Sequence, residues 1–424
     1  MRALGALVLF ALALLPLAAR AQVAPTYQAR AQQLVMLLAT DGAERDFFST
    51  LFLDAVPVDQ WRKLTADLRR QYGKPLSLGS VRQNGPTAGQ VEVRYERATV
   101  GFTLVVASQP PGRVVGLQVV GAKQADDSLI KVINDIDALP GRSAFAIARL
   151  TDSGPQWIAS REPDRQMAIG SSFKLYVLAE LARAVEAGER RWSDVIPLAR
   201  KSFSGRLAAY PVNAPMTHHS LAAAMIAESD NSAADTLLLA LGRGKVDALL
   251  LRTGHASTDA ALPLLTTAEA FALKMPANGD LRRRYEAASP DQRRALLREN
   301  AARLDAKAVD VGSVAETPVY IDSLEWFASP KDEVALLDWL RRHGGDALPI
   351  MAVNPGIAPA DAARWRYLGY KGGSEPGVMA MNFLAQASDG NWYAVSGSWN
   401  NPTTRLDEPR FVALMTRALN LLAR

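Results

Sequence analysis

Three short strings carry the side chains that could do chemistry: Ser171-Ser172-Phe173-Lys174, Ser229-Asp230-Asn231 and Lys371-Gly372-Gly373-Ser374. A serine hydroxyl at its ordinary acidity is a weak nucleophile and needs a base. Lys174 can be that base only if burial or a neighbouring cation lowers its pKa. Ser171 and Lys174 stand three apart, which on a helix puts both on one face. Gly170 precedes them, and Leu175, Leu178, Leu181 and Val185 follow at helical spacing, so Ser171 sits where a buried helix begins. The helix dipole there favours negative charge developing beside the serine. A Ser229 hydroxyl held near an amine can relay a proton to a leaving nitrogen, and the Asn231 amide can donate to a carbonyl while orienting the lysine. An extended strand after Lys371 can offer a backbone N–H that pairs with the N–H of Ser171 to form an oxyanion hole, with Lys371 supplying positive charge. Each string alone has a plainer reading. An S-x-x-K string arises by chance about once in a chain of this length, the second is also a polar turn between helices, and the third a glycine turn between strands.

The elements that position these strings follow from pattern. Ile130, Ile133 and Ile136 predict one helical face, ended by Pro140-Gly141, and 144–150 with 156–160 read as a hairpin leading toward Ser171. Helical segments 221–228 and 233–241 flank the second string, and Gly242 closes the latter. The third follows 367–370 and precedes strands at 379–385 and 392–398 around an Asp389-Gly390 turn; 409–422 is an amphipathic final helix. This pattern predicts one sheet closed by both ends around a helical middle. Earlier, 27–39 and 46–72 carry helical spacing. Val91, Val93 and Tyr95 then alternate with Glu92, Arg94 and Glu96, and strand-like 102–107 and 113–120 flank Pro110-Pro111-Gly112. The fold class expected is α+β throughout, organised as a leader (1–21), a small α+β accessory domain (22–122) and a second, larger domain (123–424).

The leader reads as an export signal: Arg2, an apolar run over 3–17 broken by Gly5 and Pro16, then Ala19-Arg20-Ala21, with cleavage expected after Ala21. The run is short for a spanning helix and no later segment has the length of one, so a periplasmic or secreted protein without an integral membrane segment is expected. With no cysteine among 424 residues, disulfides, thiolate metal sites and lipidation at an N-terminal cysteine are excluded. The net charge of +5 comes without a concentrated basic patch interleaved with aromatics, which argues against a nucleic-acid partner. No metal or cofactor is expected. His218 and His219 are adjacent and do not converge on one ion, and neither H-x-H-x-D nor H-E-x-x-H occurs. His255 and His343 stand alone and read as surface or loop residues, and the charged run 281–303 as a solvated helical face. Oligomeric state stays open.

In this order, the first string opening a helix, the second between helices and the third on a strand, the set resembles the active-serine penicillin-recognising enzymes. Ser171 and Ser229 are 58 residues apart, and Gly170-Ser171-Ser172-Phe173-Lys174 and Glu228-Ser229-Asp230-Asn231-Ser232 look like class A β-lactamase sequences. The resemblance spans roughly 126–424. It implies a β-lactamase-like domain in which Ser171 is the acylated nucleophile, Lys174 its base or base-orienting partner, and Ser229 the proton relay. Asn231, Lys371, Gly373 and Ser374 would bind substrate, with the N–H groups of Ser171 and Ser374 as oxyanion hole. The activity implied is hydrolysis of β-lactams or related esters; a peptidoglycan D,D-peptidase and a non-turning-over acyl-trapping sensor are the rival readings.

Two departures bear on release of the acyl group. No glutamate in the class A E-x-x-L-N context is present, and the 142-residue interval from Ser229 to Lys371 holds an expected insertion over 254–308. The corresponding loop is expected at 312–329, with Glu316, Asp322 and Glu325 as its acids. Glu325 is the choice for a functional acid, with a structural salt bridge as the rival role. Gly372 stands where a hydroxyl residue is usual, and Ser374 compensates in part. Acylation is therefore expected, with slow deacylation. Helices followed by sheet in the first domain, with Phe47-Phe48-Ser49 and Val56-Pro57, resemble a two-domain serine-hydrolase group known from clavulanic acid biosynthesis. Its first domain looks like steroid isomerases and polyketide cyclases, which implies either a site for a small apolar ligand or a packing accessory.

Overall fold

The computed structural model describes residues 25–423 except 125, 126, 257 and 315, so the expected export leader lies outside the described residues. The chain divides into two units between Asp127 and Ser128. Strand β4 of the first unit runs on to Gln124, which carries the division past the expected 122–123.

In the first unit, helices α1 (Pro25–Ala39) and α2 (Val58–Tyr72) accompany four antiparallel strands in the order β1 (Pro75–Gln83), β2 (Ala88–Tyr95), β3 (Ala98–Val106) and β4 (Val114–Gln124). Period-two alternation buries Val91, Val93 and Tyr95 and leaves Glu92 and Arg94 exposed. The single helix suggested over 46–72 is broken. Ser49 caps a short helix, Thr50–Ala55, by accepting from Phe52 N at 3.2 Å, and Pro57, with no N–H to donate, starts α2 afresh.

The second unit runs α3 (Leu129–Asp137), β5 (Arg142–Thr151), β6 (Gly154–Arg161) and β7 (Met167–Ala168), then a 3-10 turn, Gly170–Phe173, into α4 (Lys174–Glu186). A short pair, β8 (Val195–Pro197) and β9 (Pro215–Thr217), precedes α5 (His218–Ala227), α6 (Asn231–Leu241) and α7 (Thr267–Lys274). After β10 (Phe327–Ala328) come α8 (Pro330–His343), β11 (Tyr367–Glu375), β12 (Val378–Gln386), β13 (Trp392–Asn400) and α9 (Glu408–Leu422). The main sheet is antiparallel in the order β11-β12-β13-β5-β6, so strands from both ends of the unit meet where β13 pairs with β5.

Helices cover both faces of this sheet. One core gathers Phe173, Leu178, Leu237 and Leu337; the other packs Val132, Ile136, Phe411 and Met415 against Phe145 and Phe383. With both faces buried, β12 is apolar almost throughout instead of alternating. Full burial of each Leu, Val or Phe contributes about 1.5–3 kcal/mol, so these two cores dominate the stability of the unit. Helix α4 is buried on nearly every side, which makes it a rigid central mount for the residues at its start. Of the stripe expected on α3, Ile136 is buried and Ile133 packs against the core, while Ile130 is 72% exposed and Val132 is buried instead, because the sheet accepts the 132/136 side.

Candidate active site

Ser171 lies on the 3-10 turn and Lys174 opens α4 one turn later. Gly170 adopts φ +49°, which reverses the chain into the turn at a conformation a side chain would strain. The turn is held from outside: Ile169 N donates to Trp326 O at 2.9 Å, and the Trp326 ring stacks on Phe173 with centroids 4.3 Å apart. Strand β11 passes directly against it. A Cβ added to Gly373 would lie 2.5 Å from Ser171 N and 2.8 Å from Gly170 C, and one added to Gly170 would lie 3.3 Å from Ser374 N. Only glycine at 373 permits this approach, which brings the amides of Ser171 and Ser374 into one neighbourhood.

The Lys174 side chain is fully buried, and its Nζ donates to Ser229 O at 2.6 Å, Ser229 Oγ at 3.1 Å and Asn231 Oδ1 at 2.6 Å. Burial pulls its pKa down to about 7, against the opposing pull of Asp235 and Asp230. At neutral pH a large share of the amine is therefore unprotonated and able to accept a proton. Lys371 Nζ, also buried, donates to the same Ser229 Oγ at 3.1 Å. Burial, reinforced by the charge of Lys174, drives Lys371 well below the ordinary lysine range. A hydroxyl has two lone pairs and one hydrogen. With both lysines donating to Oγ, the Ser229 hydrogen is left to point at a third group.

Ser229 itself has φ +56°, a left-handed conformation rare for a residue with a side chain. Its neighbours hold it there. Asp230 caps α6 by accepting from Ala233 N at 2.9 Å and reaches across to accept from Leu207 N at 2.8 Å. Asn231 Nδ2 donates to Ser204 Oγ at 2.8 Å, which fixes the amide with its oxygen toward Lys174.

The structure thus brings together Ser171, Lys174, Ser229, Asn231, Lys371, Gly373 and Ser374. Glu325 is placed differently: its side chain is buried, its Oε1 accepts from Lys274 Nζ at 2.6 Å, and its Oε2 accepts from Trp326 N at 3.2 Å. Of the other acids in that loop, Glu316 is exposed and Asp322 pairs with Arg142. The Gly372 carbonyl accepts from Lys371 Nζ, but a Cβ on Gly372 would collide with the Tyr370 hydroxyl and lie 2.9 Å from Ala380 O, so a hydroxyl side chain enters only if both give way. His255, expected at the surface, is buried, with its Nε2 2.9 Å from Phe327 O and its ring beside Tyr176 of α4.

Sequence reasoning missed Ser204, Asp235 and Glu375. Asp235 follows Asn231 by one helical turn and is buried where Thr267 N, Thr267 Oγ1 and Ala268 N donate to it; burial raises its pKa to about 6. The i, i+4 spacing from Asn231 was the available signal. For Glu375 the signal was alternation along β11, which puts it on the face of Lys371 and Gly373. Ser204 has no signal in the sequence, because only folding brings its loop to α6.

Among known proteins, residues 128–304 match the Beta-lactamase enzyme family. A β-lactamase of Sphaerobacter thermophilus is similar at 17% identity and TM-score 0.47, over 70% of this chain and 96% of that one. PBP-A is similar at 15% identity and TM-score 0.48, over 69% and 93%, and a β-lactamase of Chitinophaga pinensis at 15% identity and TM-score 0.47, over 69% and 97%. No curated protein matches the chain. The unit from Ser128 onward has the α+β fold of β-lactamase-like serine hydrolases. The family match starts at 128 and does not bear on the first unit.

Proposed function

We propose that this chain is an exported serine hydrolase that opens β-lactams or related esters through an acyl-enzyme on Ser171. The observation that carries the reading is the buried Lys174 amine, drawn down to about 7 and held by Ser229 and Asn231 one turn from the serine hydroxyl. In acylation the Ser171 oxygen attacks the carbonyl carbon and its proton passes to the neutral amine of Lys174. The carbonyl oxygen takes up negative charge and is received by the N–H groups of Ser171 and Ser374. Collapse breaks the carbon–nitrogen or carbon–oxygen bond, the leaving atom takes the Ser229 hydrogen, and the proton on Lys174 restores the Ser229 hydroxyl. Water then releases the acid and regenerates Ser171. Export is supported by the basic, apolar and Ala-x-Ala start of the chain. Among the described residues no helix is long and apolar enough to cross a membrane.

Release of the acyl group is the slow step in this reading, because Glu325, the acid expected near the ester, is spent on Lys274. That same observation favours the peptidase reading as second choice, since a D,D-peptidase holds penicillin without freeing it quickly. Intact mass of the purified protein followed through time with penicillin G decides. A Ser171 adduct that forms and clears, and is absent from Ser171→Ala, is the expected result. A persistent adduct with D-alanine released from a muropeptide selects the peptidase. No adduct with penicillin or an activated ester rejects acyl transfer altogether.

A further inference from the structure

Lys274, the last residue of α7, is buried and donates at 2.6 Å to Glu325 Oε1 and at 2.6 Å to Glu375 Oε1. Two carboxyl groups from distant segments therefore share one cation out of water. Burial and the nearness of Glu325 raise Glu375 well above the usual carboxyl range, so a proton held on the pair lets both acids sit beside one lysine. As a means of stabilising a fold this is poor, since apolar replacements of like volume are often neutral or better. As a means of setting distance and direction between two segments it is effective, because charge-assisted hydrogen bonds are short and directional.

The two segments are those that carry the amides beside the nucleophile. From Glu325 the chain passes at once to Trp326, whose carbonyl receives Ile169 N and whose ring stacks on Phe173; these two residues bracket Ser171. From Glu375 it passes back one residue to Ser374, whose amide faces Gly170. Lys274 stands between the two arms and donates to the carboxylate of each. We infer that Lys274 is a positioning residue: by drawing Glu325 and Glu375 together it fixes the Ser171 and Ser374 N–H groups relative to each other. The inference rests on reading those two amides as an oxyanion hole, and it gives Glu325 a role in acylation instead of in water activation.

The test uses the full chain with Lys274→Met, Lys274→Arg and the triple variant Lys274→Met/Glu325→Gln/Glu375→Gln, which removes every buried charge of the triad at once. Hydrogen–deuterium exchange reads the amides without any reaction. In the triple variant, peptides covering 169–173 and 372–376 exchange about tenfold faster, while the melting temperature and the exchange of β5 and β13 stay put. Acylation by penicillin G slows about tenfold at unchanged half-saturating concentration, as expected when donors are displaced only in the transition state, and Lys274→Arg recovers most of the rate. Unchanged exchange at both segments overturns the inference. So does a general rise in exchange or outright loss of the fold in the triple variant, either of which makes the triad plain structural support. If the wild type forms no adduct, the acyl-transfer reading fails, and exchange still decides whether Lys274 orders the two segments.

Discussion

Gly373→Ala isolates the contact between β11 and the nucleophile turn. Gly373 is not at positive φ, so alanine meets no backbone penalty there and the whole effect is steric. Its Cβ would stand 2.0 Å from Ile169 O and 2.5 Å from Ser171 N, where ordinary contact begins near 3.4 Å, and the atoms it meets are backbone that cannot swing aside. To relieve the tighter contact the strand must back away by about 1.4 Å, on the scale at which van der Waals repulsion relaxes. An amide that would sit about 2.9 Å from a substrate oxyanion then sits about 4.3 Å away, outside hydrogen-bonding range. Loss of one such donor lowers kcat by about 10²–10³, equivalent to about 2.7–4 kcal/mol of transition-state stabilisation. Overpacking of this kind costs about 1–3 kcal/mol of stability, which two cores of this size absorb without unfolding. The assay is the acylation rate constant from quenched intact-mass spectra, with thermal unfolding measured in parallel. A folded Gly373→Ala protein that acylates within about threefold of the wild-type rate refutes the assignment of the Ser171 and Ser374 amides, since a displacement of this size cannot leave an oxyanion hole intact.

Two pH experiments follow from buried groups. Only the neutral amine of Lys174 can take the Ser171 proton, so the acylation rate constant should climb with pH and level off above about 7; a flat profile from pH 5 to 9 contradicts Lys174 as base. Glu333 on α8 is fully buried with no hydrogen-bond partner for either carboxyl oxygen among the described residues, and burial, followed by the charge of Asp332, raises its pKa well above the usual range. A raised folded pKa means the native state holds a proton the unfolded state has lost above about pH 4.3, so stability should fall as pH rises, by up to about 1.4 kcal/mol per unit. Glu333→Gln should remove that slope, measured as the difference between urea midpoints at pH 5 and pH 8; an unchanged slope contradicts the protonated state.

What could be read from sequence here was local. The S-x-x-K string at the head of an apolar helix, the S-D-N turn between helices and the K-G-G-S string on a strand each mark an element by its own periodicity or turn chemistry. That strands from both ends close one sheet also follows from the pattern, whereas their order in it does not. What could not be read was the set of partners that folding brings from far away. Lys274 lies 51 residues before Glu325 and 101 before Glu375, so no periodicity links them. Ser204 meets Asn231 because its loop is tied to the start of α6, where Asp230 accepts from Leu207 N and Ser232 Oγ accepts from Ser202 N. On α3 the expected face held at Ile133 and Ile136 and failed at Ile130, because which side of the first turn is buried is decided by the sheet the helix lands on. For His255 an isolated polar residue suggested the surface, and the burial comes from Tyr176, Phe327 and Asp332, which lie far from it in sequence.

The crowding at Gly372 also has a historical side. A serine or threonine at that position is one or two nucleotide changes away in most glycine codons, yet its Cβ would run into the Tyr370 hydroxyl and the Ala380 carbonyl. Tyr370 in turn packs on Phe383, with ring centroids 4.8 Å apart, inside the second core. Placing a hydroxyl at 372, beside the one Ser374 already carries on this strand, therefore takes at least two coordinated substitutions, the first of which removes packing from the core before any chemistry is gained. Single-step selection for a hydroxyl at 372 is blocked, and variants that reach one should carry a smaller residue at 370 alongside it.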